Sequence, residues 1–536
     1  MTEALPGTAS GRRRWWALGA LAISVLVVGL DLFVLSLALP TLAVDLHAST
    51  GDLQWFVASY SLVLAAALLP AGLLGDRIGR KKLLLIALGL FGVASLACAY
   101  STSSGELIAA RAVLGLAAAV ILPLALAVLP VMFTPAERPR AIAVVGGATF
   151  VGYPLGPILG GWLLDHFWWG SVFLINVPIV ILALAAVAFL MPESRGIGRF
   201  RIDLTGVIIS SAGLASLTYG VIRAGQDGWS DTFALATMVA GALVLVLFIV
   251  WERLVTRRPG GLPLVDLSLF SSSGFTWGTT LATMISFALF GLTFAMPQFF
   301  LDVRGLNSLA SGLRMLPLIG GLAVGLAVGQ RLQSPRKSPG GGPDRPPLAG
   351  PRPIGAGGFA IMAAALAVGT ATSAASGTGF VSAWFAVTGV GLGLAMPTML
   401  NAALSALSPA RSGSGSALMT AARQVGATIG VAVLGTVLSS VYRSHLVATS
   451  LPPAVAAVAR SSVGNGIAVA ARLGSAPLLA AVRDAYASGV DVMLWVCAGI
   501  AIAAAVLAAL FLPRQQAGAD QTAGVADAEL DTAGAE

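Results

Sequence analysis

Charge is what this sequence has least of. Only 10% of its 536 residues are Asp, Glu, Lys or Arg, against about a quarter in a soluble domain. A chain so poor in solvated side chains is not built to cover itself in water, which excludes an ordinary soluble enzyme. The net charge of +8 falls mostly in short segments between apolar runs, with no basic stripe interleaved with aromatics. The acidic neighbour it implies is a membrane surface, and no nucleic-acid partner is expected. There are two cysteines and three histidines. Cys98 and Cys497 fall inside apolar runs, which argues against a disulfide framework and against a metal cluster. His47, His166 and His445 are scattered, H-E-x-x-H is missing, and so is the G-x-x-x-x-G-K-[ST] phosphate loop. Neither a zinc hydrolase nor an ATP-driven pump is therefore expected. No cofactor, no metal and no enzymatic activity are expected.

What the chain does have is hydrophobic length, with 57% apolar residues. Runs long enough to span a core of about 30 Å fall near 15–40, 53–75, 83–100, 106–130, 140–164 and 168–191. They continue near 204–223 and 232–252, and then near 275–300, 310–329, 359–376, 379–404, 417–440 and 490–512. This reads as an all-α polytopic membrane protein with fourteen transmembrane helices. Residues 15–191 form a first six-helix bundle, 192–252 carry an inserted pair, and 275–512 form a second bundle. The basic, apolar opening imitates a secretory signal but is too long for one, so it reads as an uncleaved first helix. Residues 1–14 are a short N-terminal segment. With that segment inside, roughly 22 of the 31 Lys and Arg lie on the inner side and roughly 7 on the outer. Both termini are thus expected in the cytoplasm, with the chain multi-pass in the plasma membrane. The Pro- and Gly-rich segment 330–358 reads as an irregular cytoplasmic loop. Segment 443–489 reads as an outer loop with short amphipathic helices near Ala454–Arg460 and Pro477–Tyr486. The tail 513–536 reads as disordered.

Polar residues inside such runs mark function by default, because they are costly there. Asp31 stands in the first run, nine positions before Pro40, or roughly 14 Å from that end at the helical rise. Arg111 in the fourth run is its natural partner: an ionised Asp31 would hold it, and a protonated one would release it. In the fifth run Gly152, Gly156, Pro157, Gly160 and Gly161 give a flat face for close packing and a site for a kink. Between the second and third runs, GLLGDRIGRKK packs Asp76, Arg77 and Arg80 among Gly72, Gly75 and Gly79. Arg80, Lys81 and Lys82 alone satisfy a positive-inside anchor, but anchoring requires neither Asp76 nor the spaced glycines. Further on, LLDHFWWGSVFLINVPI carries Asp165, Trp168, Trp169 and Asn176, and reads first as an interfacial belt with a solvated acid. Trp55, Tyr60, Phe150, Phe294, Gln298, Met396 and Asn401 are cavity candidates. Their aromatic, thioether and amide groups suit flat lipophilic cations, although each is more often ordinary core.

The stretch Gly72–Lys82 resembles the loop between helices 2 and 3 of the major facilitator superfamily, G-x-L-x-D-R-x-G-R-[KR]. The resemblance implies a conformational latch formed by Gly72, Asp76, Arg77, Gly79 and Arg80. RAVLGLAAA from Arg111 is similar to that family's helix 4 signature, with Leu114 where a Gln is frequent. GYPLGPILGG is similar to its antiporter motif. Together with FVLSLALPTL, QWFVASYSL, PQFFLDVRGL and ARQVGATIGVAVLG, these segments resemble the fourteen-helix drug:proton antiporters from about residue 15 to 512. That resemblance implies the major facilitator fold and proton-coupled efflux of amphiphilic, often cationic compounds by alternating access. The proton gradient would be the energy source, Asp31, Arg111 and Asp165 would handle charge, and no obligate protein partner is implied. Dedicated export of one endogenous metabolite or antibiotic is the alternative on the same fold.

Overall fold

The computed structural model of the chain describes residues 11–134, 137–194, 203–258, 264–333, 349–407, 412–447 and 451–512. The expected tail and most of the 330–358 loop lie outside these, as do the side chains of Asp76 and Phe150. The apolar runs become helices because a backbone in hydrocarbon must satisfy its own hydrogen bonds. The first half comprises α1 (Gly11–Asp45), α2 (Thr50–Ile78), α3 (Arg80–Ala99), α4 (Ser104–Ala127), α5 (Arg138–His166) and α6 (Asn176–Leu190). An inserted hairpin follows, α7 (Leu204–Asp227) and α8 (Thr232–Arg257). The second half comprises α9 (Ser273–Gln298), α10 (Ser308–Gln333), α11 (Pro351–Gly369), α12 (Thr378–Ser405), α13 (Ser412–His445) and α14 (Ala476–Phe511).

Thirteen of the described helical segments are long and apolar enough to cross a membrane, and α5, at 29 residues, joins them as another long helix. Helix starts are set by polar caps. Ser49, Ser103, Asp203, Asp231 and Ser475 each accept the backbone N–H three residues on, satisfying donors that a helix start leaves orphaned.

Two boundaries differ from the sequence reading. Helix α11 starts at Pro351 rather than after Gly358, because prolines at the first turn remove donors that have no intrahelical partner. Pro477–Tyr486, expected as a separate amphipathic helix, is instead the beginning of α14, which Ser475 caps and Pro477 opens. The helix expected near Ala454–Arg460 is present as Pro453–Ser461, and a third, Val463–Arg472, follows it.

Packing repeats itself across the two halves. In the first, α1 packs on α5 and α6, α2 on α4, and α3 on α4 and α6; in the second, α9 packs on α13 and α14, α10 on α12, and α11 on α12 and α14. Each half has its own apolar core. The halves meet along two related seams, α2 against α13 and α5 against α10. The hairpin breaks this symmetry, since α7 lies on both α2 and α13 while α8 packs chiefly on α7. Because the helices alternate in direction, Gly11 and Phe511 share one face, here the terminal face, and the opposite one is the far face.

Small residues set the closest approaches. In the α10–α12 pair a Cβ on Gly321 or Gly325 would strike α12 backbone, and one on Gly389 or Gly393 would strike α10 backbone at Leu318 or Leu322. Van der Waals contact, rather than the hydrophobic effect, is what such packing gains in lipid. We predict that Gly389→Ala lowers thermal stability in detergent by about 1–3 kcal/mol, the usual cost of overpacking. Gly357→Ala, whose Cβ would enter open space, is expected to be neutral or slightly stabilising in the same melt.

Candidate functional site

Asp31, midway along α1, accepts a 2.6 Å hydrogen bond at Oδ2 from Nη1 of Arg111 on α4. Its other oxygen, Oδ1, accepts from the Asn176 amide on α6 at 3.2 Å, and the same nitrogen donates to Ser95 Oγ on α3 at 3.4 Å. Nε of Arg111 donates to the Phe56 carbonyl of α2 at 3.1 Å. The guanidinium lies 4.5 Å from the centre of the Tyr60 ring. Five helices of the first half thus converge on one ion pair, and each partner is 1% exposed. A pair this deep is stabilising only while both members are present; removing one typically costs about 3–5 kcal/mol, because the other charge is stranded. The site can therefore hold one proton-sized change of charge and convert it into a large change in local energy.

The stretch of α1 that carries Asp31 has a second, opposite use. The small-residue face of α5 lies on it: a Cβ on Gly152 would come 2.9 Å from Leu30 N, one on Gly156 3.0 Å from Phe33 Cβ, and one on Gly160 3.4 Å from Val34 Cγ1. One residue on, Gly161 turns to the other half, where a Cβ would come 2.6 Å from the Ser308 carbonyl of α10. Gly312 of α10 presses in turn on the Pro157 carbonyl. The Asp31 segment of α1 and the α5–α10 seam are thus joined through the one helix α5. The second half repeats the arrangement, with Gly426 and Gly430 of α13 against Thr283 and Phe287 of α9, and Gly435 against Gln54 of α2.

The sequence candidates do not all gather here. Tyr60 joins the ion pair, whereas Asp165 does not: its carboxylate accepts the backbone N–H groups of Ser308 at 2.8 Å and Leu309 at 3.1 Å, at the far face. Trp55 packs beside α7, its ring 6.5 Å from that of Tyr219. Phe294 of α9 is buried against the first-half core, and Gln298 donates back to the carbonyl of Phe294 at 2.8 Å. Met396 lies 4.0 Å from Nη2 of Arg423, whose Nε donates to Ser286 at 3.4 Å. Asn401 is exposed on α12. At the loop motif, α2 ends at Ile78, Gly79 adopts φ +116°, and α3 starts at Arg80. The backbone of Lys81 and Lys82 donates to Glu193 at 3.2 and 3.3 Å, and Arg80 Nη1 donates to the Ala127 carbonyl at 2.8 Å. These partners all belong to the first half; Gly72 faces open space, Arg77 is exposed, and the side chain of Asp76 lies outside the described residues.

Sequence reasoning passed over Gln54 and Ser95 and gave Asn176 no role. Gln54 is buried and donates to the Val431 and Ala432 carbonyls of α13 at 3.1 and 2.9 Å, joining the halves. The signal was present, since an amide inside an apolar run demands a partner as a carboxylate does. We predict that Asp31→Asn and Arg111→Gln each destabilise the folded protein by about 3–5 kcal/mol. Together they are expected to cost clearly less than their sum, because the double variant strands no charge. Thermal unfolding of the three variants measures that coupling.

The Major Facilitator Superfamily sequence model matches residues 21–431. The multidrug efflux pump LfrA of Mycolicibacterium smegmatis is 35% identical, covering 94% of this chain and 98% of its own. The tetracenomycin C resistance and export protein of Streptomyces glaucescens is 32% identical over 94% and 92%. The methyl viologen resistance protein SmvA of Salmonella typhimurium is 34% identical over 85% and 89%. Among solved structures, a bacterial homolog to the human lysosomal transporter Spinster, inward-facing and unoccupied, superposes with a TM-score of 0.65 at 15% identity, covering 94% of this chain and 97% of that one. The D-xylose-proton symporter superposes at 0.57 and 14% identity, over 93% and 98%. With its doubled six-helix plan, two seams and matched length, the chain belongs to the Major Facilitator Superfamily.

Proposed function

We propose that the protein exports amphiphilic, often cationic compounds across the plasma membrane in exchange for protons. The observation that carries this reading is the sealed Asp31–Arg111 pair, set where a proton changes the energy of a whole half-molecule. Relatives named for multidrug efflux and for export of one antibiotic support the substrate class. No cofactor is required; the proton gradient supplies the energy.

The steps follow from the contacts. With Asp31 ionised, Arg111 is neutralised and α1, α4 and α6 are held together. A proton on Asp31 leaves Arg111 with the Phe56 carbonyl and the Tyr60 ring, a loss on the order of 3–5 kcal/mol. Moving a two-state equilibrium from 1:99 to 99:1 takes about 5.5 kcal/mol, so one proton is of the right magnitude to drive the switch. The rearrangement reaches the far-face seam through α1 and the glycine face of α5. In the structure the cross-half bonds of Gln54 and Asp165 fall on the far face. With the terminal face in the cytoplasm, as the charge distribution supports, this is the state that takes up substrate from inside. The Gly72–Lys82 stretch, whose described partners stay in its own half, would then latch the opposite state. Small molecules, protons and lipid are the only partners this scheme needs.

A second reading, export of a single compound, is favoured by the relative named for tetracenomycin C. Everted vesicles loaded by a proton gradient separate the readings. We expect uptake of several unrelated fluorescent cations, abolished by an uncoupler and reduced at least about a hundredfold by Asp31→Asn, a loss near 2.7 kcal/mol. Normal transport by Asp31→Asn removes proton coupling at this site, and transport of one compound alone selects the second reading.

A further inference from the structure

At the far face one charged group ties the two halves together from an exposed position. Asp165 stands in the last turn of α5, where its negative charge opposes the helix's own dipole. Its oxygens instead reach across the seam to the first turn of α10, accepting from Ser308 and Leu309 at 2.8 and 3.1 Å. The next donor, Ala310 N–H, is taken by Asn307 of the same half at 2.9 Å. The orphan donors that start α10 are therefore shared between its own chain segment and the opposite half. Beneath this cap, Gly161 and Gly312 let the seam close to backbone contact.

We propose that Asp165 is a positioning residue for alternating access, a carboxylate on one half that caps a helix of the other and holds the far face shut. Two features make it a gate rather than a strut. The residue is exposed, so water can replace it when the seam parts and the bond is reversible. The donors it serves are helix-start N–H groups with no partner inside their own helix, so water can satisfy them once the seam opens. Across the molecule the α2–α13 seam is held differently, by the buried, neutral amide of Gln54. The inference rests on the exporter reading only for the direction of transport, and its test needs no substrate.

Ser308, buried in the closed seam, is replaced by cysteine as a reporter and labelled from the far face with a membrane-impermeant maleimide. The native Cys98 and Cys497 are buried and give the background. Asp165→Ala is expected to raise the labelling rate about tenfold, the effect of losing a charged cap, and Asp165→Asn by less, since an amide oxygen still accepts. Asp484→Asn, which removes another exposed carboxylate on that face, leaves the rate unchanged. Parent-like labelling of Asp165→Ala overturns the proposal, and so does an equal rise in Asp484→Asn. If Asp165 merely stabilised the fold, Asp165→Ala would lower the melting temperature without changing labelling of the folded protein, which also overturns it. Should the gate respond as expected while vesicles transport nothing, the exporter reading fails and the gate stands.

Discussion

A buried charge cannot be left alone, and much of this molecule is arranged around that constraint. Asp31 and Arg111 neutralise each other at 2.6 Å where water does not reach. Their remaining hydrogen-bonding capacity draws in Asn176, Ser95 and the Phe56 carbonyl. The consequence is structural before it is functional: helices that would otherwise share only dispersion contacts acquire one set of polar bonds that fails as a unit. A group of this kind is a poor source of stability and a good source of conditional stability, which a transporter needs more.

The same segment of α1 faces two ways, and that is how local chemistry acquires reach. One side bears the carboxylate; the other is the surface on which Gly152, Gly156 and Gly160 ride. The approach is close enough that a methyl group at Gly152 would meet α1 backbone and one at Gly156 or Gly160 the side chains of Phe33 or Val34. From Gly160 to Gly161 the contact passes from α1 to α10 within one residue, so the same turn of α5 packs on both halves.

Much of this was readable from the residues. The long apolar runs specify helices by elementary solvation, and an acid and an arginine in two of them have few partners other than each other. The glycine spacing marked α5 as a packing surface, and Gly426, Gly430 and Gly435 marked its counterpart. What stayed hidden depended on three-dimensional adjacency. Asp165 looked like a solvated acid because its partners are backbone N–H groups that carry no sequence signature. Trp55 looked like a cavity aromatic because nothing in its neighbourhood announces that α7 lies there. The start of α14 lies earlier than the apolar run 490–512 implies because Arg483 and Asp484 interrupt its hydropathy, although Ser475 and Pro477 form an ordinary helix opening. Legibility therefore tracked cost: what is expensive to bury showed in the sequence, and what is satisfied locally did not.

The inserted hairpin makes the two seams unequal. On one side α7 is bonded to both halves, through Gln226 to Ser49 and through its Val221 and Gln226 carbonyls to Thr436 and Arg443; on the other, the exposed carboxylate of Asp165 spans the gap. Joints of different strength do not part together. The extra helices thus buttress the α2–α13 edge of the far face, leaving the α5–α10 edge the less heavily bonded of the two.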